Sequence, residues 1–415
     1  MIDVCSQDPH RLLTITEALA HIAEAIKPLT DFETIDLKQA LGRVLSAPVY
    51  APINIPHDRN AAMDGYAFAS TDIDHNQAFN LKLVGTSWAG RPYQGLLQTG
   101  QCIRIFTGAV VPEQADSVIM QEQVLVDGQN IYFPANAPTK QNVRAVGEDI
   151  KQTDCLLQAG KTLNACDLGL LAAAGIASIT VHRLLKIACF STGDELTALG
   201  QTLQPGKIYD SNRYLLTALL SNPFCQISDL GVLPDDLEQL SRHFKQAAEN
   251  HDVIISTGGA SVGDADYINT ILTKYGTINF WKIAIKPGKP LAFGSIGNCY
   301  FFGLPGNPIA VITTFQQIVT PALKQLSGQL AKHQPLRFKA TLTSAIKKAP
   351  GRAEFQRGLL TQDGNGNFQV MPSGKQGSHM LSSMSQANCY IVLPIECDGL
   401  QCGDHVIVEA FNTFI

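Results

Sequence analysis

The side chains best placed to do chemistry in this chain are carboxylates and lysines that follow short apolar runs and sit beside glycines. Gly258-Gly259 follows the apolar run 253–256 and leads through Ser261 to Asp264 and Asp266. Flexible backbone N–H groups between a strand and a helix can cradle phosphate oxygens. A plain turn needing positive φ is the alternative reading of the glycine pair. The string is neither a Walker loop nor G-x-G-x-x-G, so ATP hydrolysis and dinucleotide binding are not implied. Two carboxylates beside a phosphate loop would repel the ligand unless a divalent cation bridged them, and this pairing suggests magnesium. Helix capping accounts equally well for Asp264. Asp194 and Glu195 form a second carboxylate pair in the turn after the run 186–190, where solvation alone is a sufficient reason for them. Asp235, with Glu238 three residues on, has the form of a capping box and also lies at the carboxyl end of a strand.

Positive charge comes from Trp281-Lys282-Ile283-Ala284-Ile285-Lys286-Pro287-Gly288-Lys289-Pro290. Alternation predicts Lys282, Ala284 and Lys286 on one strand face, and the Pro-Gly-Lys-Pro turn holds Lys289 where it suits an oxyanion. The competing reading is a strand edge guarded by lysine. Arg59-Asn60-Ala61-Ala62-Met63-Asp64-Gly65-Tyr66 sets Asp64 and a turn glycine in an apolar context, and Thr107 follows the apolar run 102–106. Taken singly, both strings read as turn chemistry. Gly351-Arg352-Ala353-Glu354-Phe355-Gln356-Arg357-Gly358 and Gln376-Gly377-Ser378-His379-Met380 would bring Arg357 and Ser378 to an anion. The histidines show neither His-Glu-x-x-His nor clustering, so a histidine-ligated zinc is not predicted.

Such side chains need strands that end in loops. Apolar runs at 186–190, 227–233, 253–256 and 300–303 each lead into a polar loop and alternate with helical patterns, one over Leu215, Leu216, Leu219 and Leu220, another over Leu237, Leu240, Phe244 and Ala248. This alternation predicts a parallel, doubly wound sheet with the ligand crevice at the strands' carboxyl ends. Before it, residues 53–146 read as a β-rich insert of short runs broken by Gly, Pro and Asn, and from 335 onward the pattern is again short strands and turns. A helix with Thr16 at its N-cap and Leu19, Ile22, Ala23 and Ile26 on one face opens the chain, ended by Pro28. The division follows: a helical linking unit of 1–52 with 147–184, an insert of 53–146, an α/β unit of 185–334 and a β unit of 335–415.

At 415 residues and 45% hydrophobic content the chain can build several cores. A formal net charge of −5 with no basic field gives no reason to expect nucleic acid or a membrane surface as partner. Ten cysteines without a C-x-x-C pair fit neither a zinc site nor a disulfide framework. Residues 1–13 lack the apolar stretch of a signal peptide, and the apolar run 168–181 is too short to span a bilayer, so a cytoplasmic location is expected.

Taken together, the strings resemble the molybdopterin molybdenumtransferases, the MoeA family that includes the gephyrin E domain. The resemblance runs nearly end to end. It is carried by Asn60-Ala61-Ala62-Met63-Asp64-Gly65-Tyr66-Ala67, Val143-Arg144-Ala145-Val146-Gly147-Glu148-Asp149-Ile150, Ser191-Thr192-Gly193-Asp194-Glu195-Leu196 and Ile208-Tyr209-Asp210-Ser211-Asn212, and by the later strings 257–266, 286–290, 303–308 and 351–358. It implies a central three-layer doubly wound domain of the molybdopterin-binding type, a β-rich insert and a C-terminal β-barrel-like domain. The implied activity is insertion of molybdate into adenylylated molybdopterin with release of AMP, dependent on Mg2+.

By the same resemblance Asp64, Glu195, Asp235, Asp266, Lys282 and Lys286 are the catalytic residues, with magnesium near Glu195, Asp235 and Asp266. Substrate contacts are implied at Thr107, Arg144, Asp194 and Ser211, at Gly258, Gly259, Ser261 and Asp264, at Lys289, Pro290 and Pro305, and at Arg357 and Ser378. A homodimer sharing its site between subunits, with Asp64 and Thr107 completing the partner's crevice, is implied as well, as is contact with a molybdopterin adenylyltransferase. The family reads Phe-Asp-Asn-Ser where this chain has Asp58, Arg59, Asn60 and Ala61. Two rival readings remain: a non-enzymatic scaffold of the same fold, and the preceding adenylylation of molybdopterin, for which the insert and the C-terminal β unit would be superfluous.

Overall fold

Along the Leu185–Thr192 strand, successive side chains enter two different cores, Ile187 and Cys189 on one face and Ala188 and Phe190 on the other. A strand buried on both faces must lie inside a sheet covered by helices on each side. The computed structural model, which describes residues 12–74, 76–258, 267–330 and 335–411, has this arrangement. Helices Ile15–Ala25 and Asn212–Leu220 and the helical run from Pro308 to Leu326 cover one face, and Leu237–Asn250 and Tyr267–Tyr275 cover the other. The result is three layers.

The central sheet has six strands in the order Cys225–Leu233, Leu185–Thr192, Val253–Thr257, Cys299–Leu304, Pro290–Ile296, Thr277–Lys282. The first four are mutually parallel, with Ile187 opposite both Ile227 and Val253 and Val253 opposite Tyr300. A further strand, Pro290–Ile296, runs antiparallel to both neighbours. Only Gly297 and Asn298 separate it from the next strand, and a two-residue turn can join only antiparallel neighbours.

The first helix is capped by Thr14 rather than Thr16. The Thr14 side chain accepts from the Glu17 N–H, and the Glu17 carboxylate accepts from the Thr14 N–H, a reciprocal box that Thr16, with Leu19 three residues on, cannot form. Its buried Ala18 and Ile22 share the core of Leu216 and Ile318, so this helix is packed into the α/β layers and not into the linking unit.

The C-terminal strands Arg337–Leu342, Ala353–Gln362, Phe368–Pro372, Cys389–Leu393 and His405–Ala410 close into a five-stranded barrel, completed by pairing of Ala353–Gln362 with Cys389–Leu393. Ile285–Lys286 adds to its rim, paired in parallel with Ala353 and Glu354, so a segment leaving the central sheet is hydrogen-bonded to the barrel. The insert carries its own six-stranded sheet. Among the described residues no helix is long and apolar enough to cross a membrane, and the nine cysteines there are all free.

Candidate functional site

The parallel strands end on one rim of the central sheet. The loops after Thr192, Leu233, Thr257 and Leu304 meet there and face the barrel across a cleft of about 1080 Å³, room enough for a nucleotide-sized ligand. The chain winds outward from Leu185–Thr192 in both directions, to Cys225–Leu233 on one side and Val253–Thr257 on the other, so the cleft lies at the switch point of the sheet.

Of the side chains singled out in the sequence, Glu195, Asp235, Gly258, Lys286, Lys289, Pro290, Pro305, Arg357 and Ser378 line this cleft. Gly259, Ser261, Asp264 and Asp266 lie outside the described residues. Asp194 and Ser211 stand beside the cleft loops without lining it. Asp64, Thr107 and Arg144 belong to the insert: Thr107 donates from its N–H (2.8 Å) and hydroxyl (2.7 Å) to Asp64 Oδ1, and Arg144 pairs with Asn60. Arg59, at the position departing from the family string, donates to the carbonyls of Pro112, Glu113 and Ala115 and so ties the same segment down.

One wall is acidic. Asp235 is not the cap of its helix: Asp236 is, its carboxylate accepting from the Gln239 N–H at 2.8 Å. Asp235 is left one residue outside the helix, where burial, and then the charges of Asp194 and Glu195, hold its carboxyl above the usual carboxylate range. Gly193 makes the turn that brings these groups together, since a Cβ there would lie 2.6 Å from the Glu195 carboxylate.

The opposite wall carries Lys286, Lys289, Arg352 and Ser378. Lys286 is half-exposed and pairs at 3.1 Å with the buried Glu354, which orients its ammonium at the cleft rim. The predicted single face of Lys282, Ala284 and Lys286 does not exist. The central sheet ends at Lys282 and the barrel rim begins at Ile285, and in crossing between them the chain buries Ile283, Ala284 and Ile285 in succession. Lys282 stays at the exposed sheet edge, outside the cleft.

Arg357 also differs from its expected role as an anion ligand. Its guanidinium is buried and donates to Ser383 Oγ (3.1 Å) and to the carbonyls of Lys375 (2.9 Å), Gln376 (3.2 Å) and Gly377 (3.1 Å). Arg357 therefore shapes the 375–378 loop that presents Ser378. That loop is also docked by the Ile309 N–H, which donates to the Ser378 carbonyl.

The turn reading of Gly258 has a steric basis. Its φ is +83°, and a Cβ would sit 2.3 Å from the Thr192 carbonyl oxygen. Gly258→Ala is expected to cost roughly 1–3 kcal/mol of stability, measured by urea unfolding, because the left-handed backbone and the carbonyl contact resist together. A change within about 0.3 kcal/mol would mean the turn relaxes freely.

Thr192, Asn307, Arg352, Glu354 and Gln356 line the cleft too; each stands within a string that carries the resemblance, but none has a role assigned by it. The 354–358 stretch is buried at every position, so it shows no alternation to mark which side chains face a ligand. Thr192 Oγ1 is buried without a hydrogen-bond partner, as is Ser256 Oγ on the neighbouring strand, so polar atoms at this rim are left for something other than the fold. Among the described residues no group of three or more His, Cys, Asp or Glu side chains is arranged as a metal centre.

A three-layer α/β domain with a charged cleft at its strand termini, walled by a β-barrel, defines a multidomain α/β protein built around one ligand-sized site. Family models match nearly the whole chain: the MoeA N-terminal region (domain I and II) over residues 13–175, a probable molybdopterin binding domain over 188–325, and the MoeA C-terminal region (domain IV) over 339–411. The chain is 42% identical over 402 residues to the molybdopterin molybdenumtransferase of Haemophilus influenzae, covering 97% of this chain and 99% of that one. With the enzyme of that name from Nostoc sp. the identity is 35%, covering 91% and 88%. Gephyrin of Dictyostelium discoideum is 30% identical, with 62% of its length covered. The crystal structure of the molybdopterin biosynthesis MoeA protein from Pyrococcus horikoshii superposes with a TM-score of 0.83 at 29% identity, covering 97% of this chain and all of that one. The protein belongs to the MoeA family of molybdopterin molybdenumtransferases.

Proposed function

We propose that this protein is a transferase that inserts molybdate into adenylylated molybdopterin and releases AMP, with Mg2+ as its cofactor. The observation that carries this reading is the charge gathered in one cleft: Glu195 and Asp235 from the α/β loops, and Lys286, paired with Glu354, with Lys289 and Arg352 on the side of the barrel. A pyrophosphate-bearing substrate and a molybdate dianion both need positive charge close by, and the barrel wall supplies it. The acidic wall fits Mg2+, because its donors are hard carboxylate oxygens and the Asp235 carboxyl, raised by burial and then by the charges of Asp194 and Glu195, is one that a cation would favour in its ionised form. Glu195 and Asp235 would hold the ion together with Asp266, and bound there Mg2+ would offset the charge of the pyrophosphate.

The chain's own groups then divide the work. The open backbone at Gly258 and the Ser378 hydroxyl orient substrate oxygens, Lys286 is aimed by Glu354, and Lys289 and Arg352 stabilise the departing AMP. Asp64 and Thr107 are joined at the surface of the insert rather than in this cleft, which supports a homodimer in which each subunit's insert completes the partner's site.

The direct test is AMP release from adenylylated molybdopterin by the purified protein, with and without molybdate and Mg2+. Release that requires both ions supports the reading; no release under any condition sinks it in favour of the scaffold. Lys289→Ala should lower the rate by about 10- to 100-fold while urea stability stays within about 0.5 kcal/mol, since its ammonium is exposed. An unchanged rate would remove Lys289 from the site.

A further inference from the structure

We infer that Asp210 is a positioning residue for the cleft: together with Asn212 it keys the loops that carry Gly258 and Gly306 to one elbow of the chain, and this rests on the reading of the cleft as the place where AMP is released. Asp210 is 2% exposed and lies between the strand Ile208–Tyr209 and the helix Asn212–Leu220. Its Oδ2 accepts from Arg213 Nε at 3.1 Å, and Arg213 Nη1 donates to Asp229 at 2.8 Å, so an ion pair holds the carboxylate from the helix side. Its Oδ1 accepts the Arg213 N–H (3.1 Å) and the Ser191 hydroxyl (3.2 Å). The first of these bonds caps a helix. The second does nothing for that helix and reaches into the central sheet instead.

There the count of protons fixes a direction. Ser191 has one hydroxyl proton and gives it to the carboxylate, which as the partner of Arg213 only accepts. Thr257 stands opposite Ser191 in the parallel register, with the hydroxyl oxygens 3.0 Å apart, so Thr257 must donate to Ser191. Asp210, Ser191 and Thr257 are all buried, where a bond left unmade is costly. Thr257 ends its strand, and Gly258, which follows it, lines the cleft. The relay from Arg213 through Asp210 and Ser191 thus fixes the side chain from which the Gly258 turn departs. The alternate hydroxyls, Thr192 Oγ1 and Ser256 Oγ, have no partner, so each strand end commits one hydroxyl to the relay and leaves one free. Two residues past Asp210, Asn212 Nδ2 donates to the carbonyl of Gly306, another residue of the cleft lining, at 2.7 Å. A helix cap alone would need neither of these reaches.

Removing the Ser191 hydroxyl leaves Asp210 on Arg213 and cuts only the relay. In full-length Ser191→Ala and Thr257→Val, amide hydrogen exchange should quicken about two- to tenfold in peptides holding Gly258, the worth of one hydrogen bond, and keep the parent's rate in those holding Gly306. Asn212→Ala should do the opposite. Asp210→Ala joined to Ser191→Ala should exchange no faster at Gly258 than Asp210→Ala alone, since both cut one chain; if Asp210→Ala does not fold, the two hydroxyl variants still decide the matter. In AMP release, kcat of Ser191→Ala and of Thr257→Val should fall about 10- to 100-fold with KM held within about threefold, and Thr257→Ser, which keeps the hydroxyl, should stay within about threefold of the parent. Unchanged exchange at Gly258 in Ser191→Ala, an unchanged kcat in both hydroxyl variants of an active parent, or equal damage in Thr257→Ser and Thr257→Val would each overturn the assignment. Exchange is read without turnover, so a protein that releases no AMP but shows the loop-specific exchange would defeat the proposed reaction and not the positioning. One that releases AMP with kcat unchanged in both variants would do the reverse.

Discussion

Asp235→Asn is expected to lower AMP release by at least about 100-fold while leaving the folded protein as stable as the parent, or more stable, near pH 8. The first half follows from position, because Asp235 faces the cleft beside Glu195, where the proposed cation would sit. The second half follows from what the residue does not do. Asp236 caps the helix, so the change removes no cap. The Asp235 carboxyl is held up by burial and then by the charges of Asp194 and Glu195, which places its folded value above its unfolded one. The fold thus favours the protonated form. Its contribution to stability is present at low pH and is lost as pH rises through the folded value, beyond which an ionised Asp235 opposes folding. The asparagine variant should therefore gain melting temperature relative to the parent near pH 8 and lose that advantage near pH 4. Added Mg2+ should raise the parent's melting temperature more than the variant's. A fall of about 1 kcal/mol at both pH values, the size of a lost cap, would make Asp235 a structural residue.

Arg357→Ala should lose about 3 kcal/mol or more of stability and, with it, activity. The side chain is fully buried and bonds one hydroxyl and three carbonyls, so its removal leaves a void and four acceptors without their donor. Lysine should not rescue it, because a single ammonium cannot reproduce a planar fork directed at four oxygens. Urea unfolding separates the two roles this residue has been given. A large drop in stability supports the arginine as the brace of the Ser378 loop. An unchanged unfolding midpoint with a raised KM for molybdate would restore it as an anion ligand, in the manner expected of the exposed Lys289.

Much of this site can be read from the sequence, for a local reason. Glycine-rich and carboxylate strings follow directly on apolar strands, and the end of a strand in a doubly wound sheet is where a crevice lies. Glu195, Asp235 and Gly258 are of this kind, and all three line the cleft. The errors share a cause too. Spacing suggests a cap at Thr16 and at Asp235, but the cap belongs to whichever residue the backbone leaves just outside the helix, Thr14 and Asp236. Period-two alternation predicts one face for Lys282 and Lys286, but it holds only while the strand stays in one sheet, and this chain changes sheets between them.

By itself the sequence determined the family, the alternation of strands and helices around 185–334, and the glycines and charges at the strand ends, because each depends on residues near one another in the chain. The tertiary structure decided which charges share a space. The pairing of Lys286 with Glu354 joins residues brought together by the parallel register of Ile285–Lys286 on the barrel. The burial of Arg357 against the 375–378 loop depends on the closure of that barrel. The stack of Trp88 on Phe106 joins the residues just past the ends of two paired strands of the insert. These are contacts between distant segments, and what a charge does is set by the dielectric and the donors that packing places around it.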